Sequence, residues 1–250
     1  MAGHSKWANI KHRKGRQDAA RGKLWSKIAR AIIVAAKNGG GDPETNLTLR
    51  YAIDEARDAN MPKDTIKNAI KKGTGELESA NYEEVTYEGY GPAGVAFMVP
   101  CLTDNRNRTA PEMRKIFEKC NGQLGGTNCV AYMFEPRGKI VIEACKMDED
   151  SLMELAIEAG ADDVVAEGDF YEITCAPAAL GEVKGALADK EVETVSAEVA
   201  LVAANTISPD LDAARKVLKL TEALEDHDDV QKVYSNFDIP DELLAELEQD

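Results

Sequence analysis

The chain has 250 residues, 44% of them hydrophobic, enough for a sizeable buried core in one large domain or two to three small ones. Its formal net charge is −15, from 45 acidic and 30 basic side chains. No run of 18 apolar residues occurs and the N-terminus lacks the apolar stretch of a secretory signal, so a cytoplasmic protein with no membrane-spanning segment is expected.

The charge is unevenly placed. Residues 1–75 hold 16 basic and 7 acidic side chains, whereas residues 76–250 hold 14 basic and 38 acidic ones. A basic module tied to an acidic body predicts a polyanionic partner met in one orientation, with the body repelled by what the head attracts. Five cysteines, Cys101, Cys120, Cys129, Cys145 and Cys175, form no C-x-x-C pair and read as buried, reduced thiols. With three histidines and no ligand spacing among Cys and His, no metal site is expected.

In chain order, a polar basic arm leads into a helix in which Leu24, Trp25, Ile28, Ile32 and Ala36 recur at helical spacing until Asn38-Gly39-Gly40-Gly41 stops it. Asp42-Pro43 reads as an N-cap with Pro at the first helical position, opening a second helix with Leu49, Ala52, Ile53 and Ala56 inward. Pro62 starts a third, placing Ile66, Ala69 and Ile70 inward and Lys63, Lys67 and Lys71 in an outward i, i+4 row. These elements make a basic helical domain over residues 1–78.

After the Gly- and acid-rich junction "GTGELESANYEE" the periodicity becomes that of strands. "EEVTYEGYGPAGVAFMVPCL" predicts a hairpin, "TAPEMRKIFEKC" a helix with Thr109 as N-cap and Glu112 completing a capping box, and "NCVAYMF" a third strand. From Arg137 the order is strand, helix, strand, strand, helix, strand, the ferredoxin-like pattern. The final helix, 211–224, and the strand after it lack a domain of their own, so they are expected to return to the sheet begun at Val85. That predicts a discontinuous α/β domain, 79–135 plus 207–250, carrying an inserted ferredoxin-like domain, 136–206. The segments "EAGADDVVAEGDFYEI" and "LEDHDDVQKVYSNFDI" also share a helix end followed by Asp-Asp-Val, consistent with an internal repeat.

"GYGPAG", Gly89 to Gly94, is a literal G-x-G-x-x-G, but a strand follows it where a dinucleotide site needs a helix N-terminus, and Pro92 removes a donor. A tight hairpin is the expected reading, with no cofactor. "TDNRNRT", with Asp104, Asn105, Arg106 and Arg108, is either a loop that contacts phosphate or a partner, or an Asx-type turn with local charge pairing. No nucleophile–base pair or metalloenzyme motif occurs, so no catalytic residues are expected and an enzyme is a distant alternative.

The opening stretch "MAGHSKWANIKHRKGRQDAARGKLWSKIAR" remains. It carries nine Lys or Arg and one acid, Asp18. A solubilising tail would not oppose the sign of the body, and the interleaved Trp7 and His12 can stack on or hydrogen-bond to bases. The residues expected to bind nucleic acid are Lys6, Trp7, Lys11, His12, Arg13, Lys14, Arg16, Arg21, Lys23 and Lys27, with Lys63, Lys67 and Lys71 on the third helix.

With these motifs in view, the chain resembles the YebC/PmpR family along essentially its whole length: the opening stretch, "GGGDPETN", "YEGYGPAG", "TDNRNRT", "GGTNCVAYMF" and "LEDHDDVQKVY" match in order. The resemblance implies an α+β fold, an N-terminal three-helix basic domain followed by two ferredoxin-like α/β domains, one inserted in the other. It implies a DNA-binding transcriptional regulator, or alternatively a ribosome-associated translation factor that binds ribosomal RNA, including for proline-rich stretches. A mitochondrial relative activates translation of a cytochrome oxidase subunit. The lysine row of the third helix grips phosphates and reads little sequence. No heptad enforces a dimer, so a monomer is expected. Calorimetry with ATP, GTP and NAD should be silent; saturable micromolar binding would revive an enzyme.

Overall fold

The computed structural model describes residues 17–239, with side chains from residue 21. Over these residues the protein is α+β, a helical region followed by two four-stranded sheets. The chain divides into two compact units, one of residues 1–133 with 205–250 and one of residues 134–204.

The first unit begins with helices α1 (Gln17–Gly39), α2 (Leu47–Asp58) and α3 (Lys63–Gly73). Ile28, Ile32, Ile33 and Ala36 of α1 pack against Leu49, Ala52, Ile53 and Ala56 of α2 and Ile66 and Ala69 of α3. Leu24, expected in this core, is 42% exposed, although it stands one turn before Ile28 in the same i, i+4 row. The N-cap of α2 is Asn46, not Asp42. Its side chain accepts from the Leu49 amide at 3.1 Å and donates to the carbonyls of Ala35 and Gly40, both at 2.8 Å. One buried amide thus starts α2 and satisfies carbonyls at the end of α1, work that Asp42, in the turn before it, has no reach to do.

The sheet of this unit has four strands. Strands β1 (Glu83–Tyr90) and β2 (Ala96–Thr103) form the expected hairpin. The turn between them closes with the Gly91 amide donating to the Val95 carbonyl at 2.7 Å. A Cβ on Gly91 would lie 2.6 Å from the Phe97 ring and 3.0 Å from Leu220, so this glycine lets the turn sit on the core. Helix α4 (Arg106–Lys119) follows, capped by Asn105, whose side chain accepts from the Arg108 amide at 3.2 Å. Thr109, expected as the cap, is buried in the first turn.

The expected strand at "NCVAYMF" is not one. The strand that pairs with β1 is β3 (Gln123–Leu124); residues 127–130 turn, Ala131–Met133 form a short 3-10 helix, and only Phe134 opens the next strand. The reason is Glu88: its buried carboxylate accepts from the amides of Asn128, Val130 and Ala131 at 2.8–3.0 Å, using donors that a strand would have spent on a neighbour. Helix α7 (Leu211–Glu225) then returns to pack beside α4, and β8 (Tyr234–Ser235) pairs with β2. Phe97 of β2 and Phe117 of α4 meet edge-to-face at 6.0 Å, surrounded by Val99, Met113, Val217, Leu220 and Phe237.

The second unit is β4 (Phe134–Glu143), α5 (Glu149–Glu158), β5 (Ala161–Glu167), β6 (Phe170–Cys175), α6 (Leu180–Asp189) and β7 (Thr194–Ala203). Its antiparallel order β5-β6-β4-β7 is the ferredoxin-like one. Ile140, Ile142 and Ile173 line one face with Leu152, Val183 and Leu187 of the helices, all fully buried. On the other face Lys139 pairs with Glu172 at 2.8 Å. Cys101, Cys120 and Cys175 are buried free thiols as expected, whereas Cys129 is half-buried and Cys145, in the turn after β4, is exposed.

Asn46→Ala should lower stability by about 1–2 kcal/mol through loss of the cap alone. Urea titration followed by circular dichroism measures it, and an unchanged midpoint would refute the bridging role.

Candidate nucleic-acid interface

Of the residues expected to bind nucleic acid, Lys6, Trp7, Lys11, His12, Arg13, Lys14 and Arg16 lie outside the described residues. Arg21, Lys23 and Lys27 lie on α1, and Lys63, Lys67 and Lys71 on α3.

The two helices present their cations differently. On α3, Lys63, Lys67 and Lys71 are exposed with no acidic partner among the described residues, and Lys72 joins them. Successive members stand one turn apart, about 6 Å along the axis. On α1 the cations turn inward to the body. Lys23 Nζ donates to the Asp226 carbonyl at 3.2 Å and lies 3.3 Å from its carboxylate, while Lys27 Nζ donates to the Glu225 carbonyl at 2.6 Å. Arg30 donates to the Asp228 carbonyl at 2.6 Å and to Asp229 Oδ1 at 3.2 Å, with its guanidinium 5.6 Å from the Tyr82 ring centre.

These three side chains stand about a turn apart on α1 and meet the carbonyls of residues 226, 225 and 228, at and just beyond the end of α7. A helix C-terminus leaves its last carbonyls without partners and carries partial negative charge, so a row of cations is favoured there. Burial lowers the pKa of Lys27 against the opposing pull of Glu225, as expected for an ammonium turned into the protein.

The "TDNRNRT" motif is drawn to the same place. Arg108 lies 2.6 Å from Asp229 Oδ2, 3.1 Å from Asp104 and 3.9 Å from Glu112. The Thr109 hydroxyl donates to Asp229 Oδ2 at 2.8 Å and lies 2.7 Å from that of Thr103. Of the two readings of this motif, the local turn with charge pairing describes Asp104, Asn105 and Arg108; Arg106 is exposed. His227 completes the cluster. Its Nδ1 accepts from the Asp229 amide at 3.1 Å, so Nε2 carries the proton and donates to Glu112 at 2.9 Å.

Burial alone would push the Asp229 carboxyl up, yet the hydrogen bonds from Arg108 and Thr109 and the Arg108 charge hold it below the usual carboxylate range. The sequence reading missed this buried acid, which is 3% exposed. Its signal was the run Glu225-Asp226-His227-Asp228-Asp229 in a chain whose other end is basic. Asp163, its counterpart in the similar segment, is exposed on β5, so the likeness ends at the helix-to-edge connection.

Among the described residues, no group of His, Cys, Asp and Glu is arranged to hold a metal, and no helix is long and apolar enough to cross a membrane. Fold and surface together define a protein with a basic helical head clamped to an α/β body, the head keeping one lysine face outward. The chain belongs to the TACO1/YebC family: the family's N-terminal domain matches residues 5–76 and its second and third domains match residues 82–237. A relative from Dictyoglomus turgidum is 56% identical over 99% of this chain and 100% of its own length, and one from Persephonella marina is 52% identical over 99% and 100%. Both carry the name "Probable transcriptional regulatory protein". The crystal structure of a conserved hypothetical protein from Aquifex aeolicus matches with a TM-score of 0.81 and 49% identity, over 89% of this chain and 92% of that one.

Asp229→Asn should destabilise the protein by about 3 kcal/mol, since it leaves Arg30 and Arg108 short of their shared acceptor. Because the folded-state pKa of Asp229 lies below its unfolded value of about 3.9, its contribution is fully present above that pH and is lost as pH falls through the folded value. Acid unfolding of the variant should therefore be less steep below about pH 4, as followed by tryptophan fluorescence; identical acid transitions would refute the assignment.

Proposed function

We propose that this chain is a cytoplasmic, monomeric, non-enzymatic regulator of gene expression that binds duplex DNA through its basic head. The observation that carries the reading is the row Lys63, Lys67, Lys71 on α3, exposed and without an acidic partner among the described residues, in a head of opposite sign to the body. The names of the full-length relatives support transcriptional regulation. In this reading the N-terminal arm, with Lys6, Lys11, Arg13, Lys14, Arg16 and Arg21, supplies further phosphate contacts, and Trp7 and His12 reach bases. Lys23 and Lys27 act differently, anchoring α1 on the body so that the arm leaves from a fixed point.

A second reading, a translation factor on ribosomal RNA, is favoured by one specific feature. The α3 row consists of lysines, point charges on flexible stems, with only Asn68 nearby able to pair with a base edge. Such a face positions a protein on phosphates and carries no sequence information.

Changing Lys63, Lys67 and Lys71 together to Gln should reduce the slope of log affinity against log salt by about 2.7, at roughly 0.9 per duplex phosphate released. An unchanged slope would remove α3 from the interface. Crosslinking in growing cells, with attached DNA and RNA sequenced in parallel, separates the readings. Enrichment at promoters supports the regulator, whereas one reproducible ribosomal RNA footprint without promoters replaces it with the translation factor.

A further inference from the structure

The segment "GGTNCVAYMF", residues 125–134, is not accounted for by the basic head. Glu88 holds its turn from inside through the amides of Asn128, Val130 and Ala131. The Tyr90 hydroxyl donates to the Cys129 carbonyl at 3.1 Å, and a Cβ on Gly125 would meet the Cys129 sulfur, so the turn is packed on itself. Gly122, just before it, lies against the β1–β2 hairpin, where a Cβ would stand 2.8 Å from the Tyr90 carbonyl and 3.2 Å from the Gly91 Cα. On this fixed support Tyr132 is 73% exposed, more than any other large hydrophobic side chain among the described residues.

The segments around Tyr132 differ from the rest of the body in charge. Neither the hairpin stretch 89–103 nor the stretch 120–134 contains an acidic or basic residue, in a body with 14 basic and 38 acidic side chains after residue 75. In sequence the flanking charges are of both signs: Glu118 and Lys119 end α4, Glu135 follows Phe134, and the Glu88 carboxylate is taken up by the three amides. The exposed polar groups of the loop are uncharged, those of Asn121, Gln123, Thr127 and Asn128. Such a patch grips no phosphate. It has the chemistry that reads bases, an aromatic face for stacking and amides that pair with base edges, and it lacks the like charge with which an acidic surface repels a polyanion. The strand β1 starts beside the head, where Tyr82 packs on the head's core and Glu84 accepts from Asn38 at 3.1 Å, and it ends at Tyr90. Its seven residue steps of about 3.3 Å put about 23 Å between those ends, so the loop is a site apart from the head.

We propose that Tyr132, on the loop held by Glu88, is a stacking platform for an unpaired base of the nucleic acid that the head holds. This rests on the reading of the head as a DNA-binding element and adds the base contact that a lysine row does not make. The base is one outside the duplex, since a side chain takes a base on its face only when that base has left its own stack. Because Glu88 already holds the loop, little ordering is needed when the base arrives.

The test uses the full chain and two labelled DNA probes in anisotropy titrations over a salt series. One is a blunt duplex of about two helical turns; the other adds a single-stranded overhang of about ten nucleotides, which at about 3.4 Å each exceeds the span of β1. The unaltered chain should bind the overhang probe more tightly. Tyr132→Ala should lose about tenfold in affinity for that probe, as expected for one base–aromatic stack, with the salt slope and the blunt-duplex affinity unchanged, and Tyr132→Phe should keep the affinity. Ile157→Ala, another exposed side chain, in the second unit, should change neither. Circular dichroism confirms that each variant is folded. No loss in Tyr132→Ala, equal losses on both probes, or an equal loss in Ile157→Ala overturns the proposal. If the α3 lysine variant loses slope and the overhang adds no affinity, the platform is refuted while the head reading stands. If neither probe binds with salt dependence, both fall. Photocrosslinking in growing cells with Tyr132→p-benzoylphenylalanine checks the class of partner: an adduct with nucleic acid supports the platform, whereas an adduct with protein alone, or none, overturns it.

Discussion

The carboxylate of Asp229 holds the first unit together. It is buried, and it receives Arg30 from the helical region and Arg108 and Thr109 from the first turn of α4. A lone buried carboxylate would cost several kcal/mol, so these partners are obligatory once the acid is inside. Because they come from residues 30, 108 and 109, satisfying one charge fixes three parts of the chain against one another. The carbonyls just before it take Lys23, Lys27 and Arg30 in the same way, turning the end of α7 into a seat for α1.

This arrangement changes what the charge asymmetry means. A basic head and an acidic body would ordinarily be read as a sign of an external polyanion, and part of that signal is answered inside the molecule. The cations of α1 spend themselves on the end of α7, while those of α3 do not. The separation is geometric: α1 meets the body at points from Lys23 to Asn38, and the apolar side of α3 is taken by the α1–α2 core.

The sequence was most legible where periodicity is long and local. The stripes of α1, α2 and α3, the β1–β2 hairpin and the strand and helix order of the second unit all follow from spacing. It was least legible where one side chain decides the backbone through a distant contact. Glu88 takes the amides of 128–131 and turns an apparent strand into a turn, although the residues themselves favour a strand. Asn46 and Asn105 outcompete nearby caps because each reaches the right amide. In the candidate interface, the α3 row could be read directly, but the inward turn of Lys23 and Lys27 depends on residues about 200 positions away.

Sequence separation on this scale has a consequence for synthesis. The second unit is one continuous stretch, residues 134–204, and its four strands form one sheet of their own. The first unit cannot close until Asp229 has met Arg108 and residues 234–235 have joined β2, almost at the end of the chain. On a ribosome adding residues from the N-terminus, the inserted unit is therefore able to finish folding while the unit that surrounds it still lacks its last helix and edge strand. During that interval the apolar faces of β2 and α4 wait uncovered for α7, and a chain interrupted before Leu211 would present them permanently.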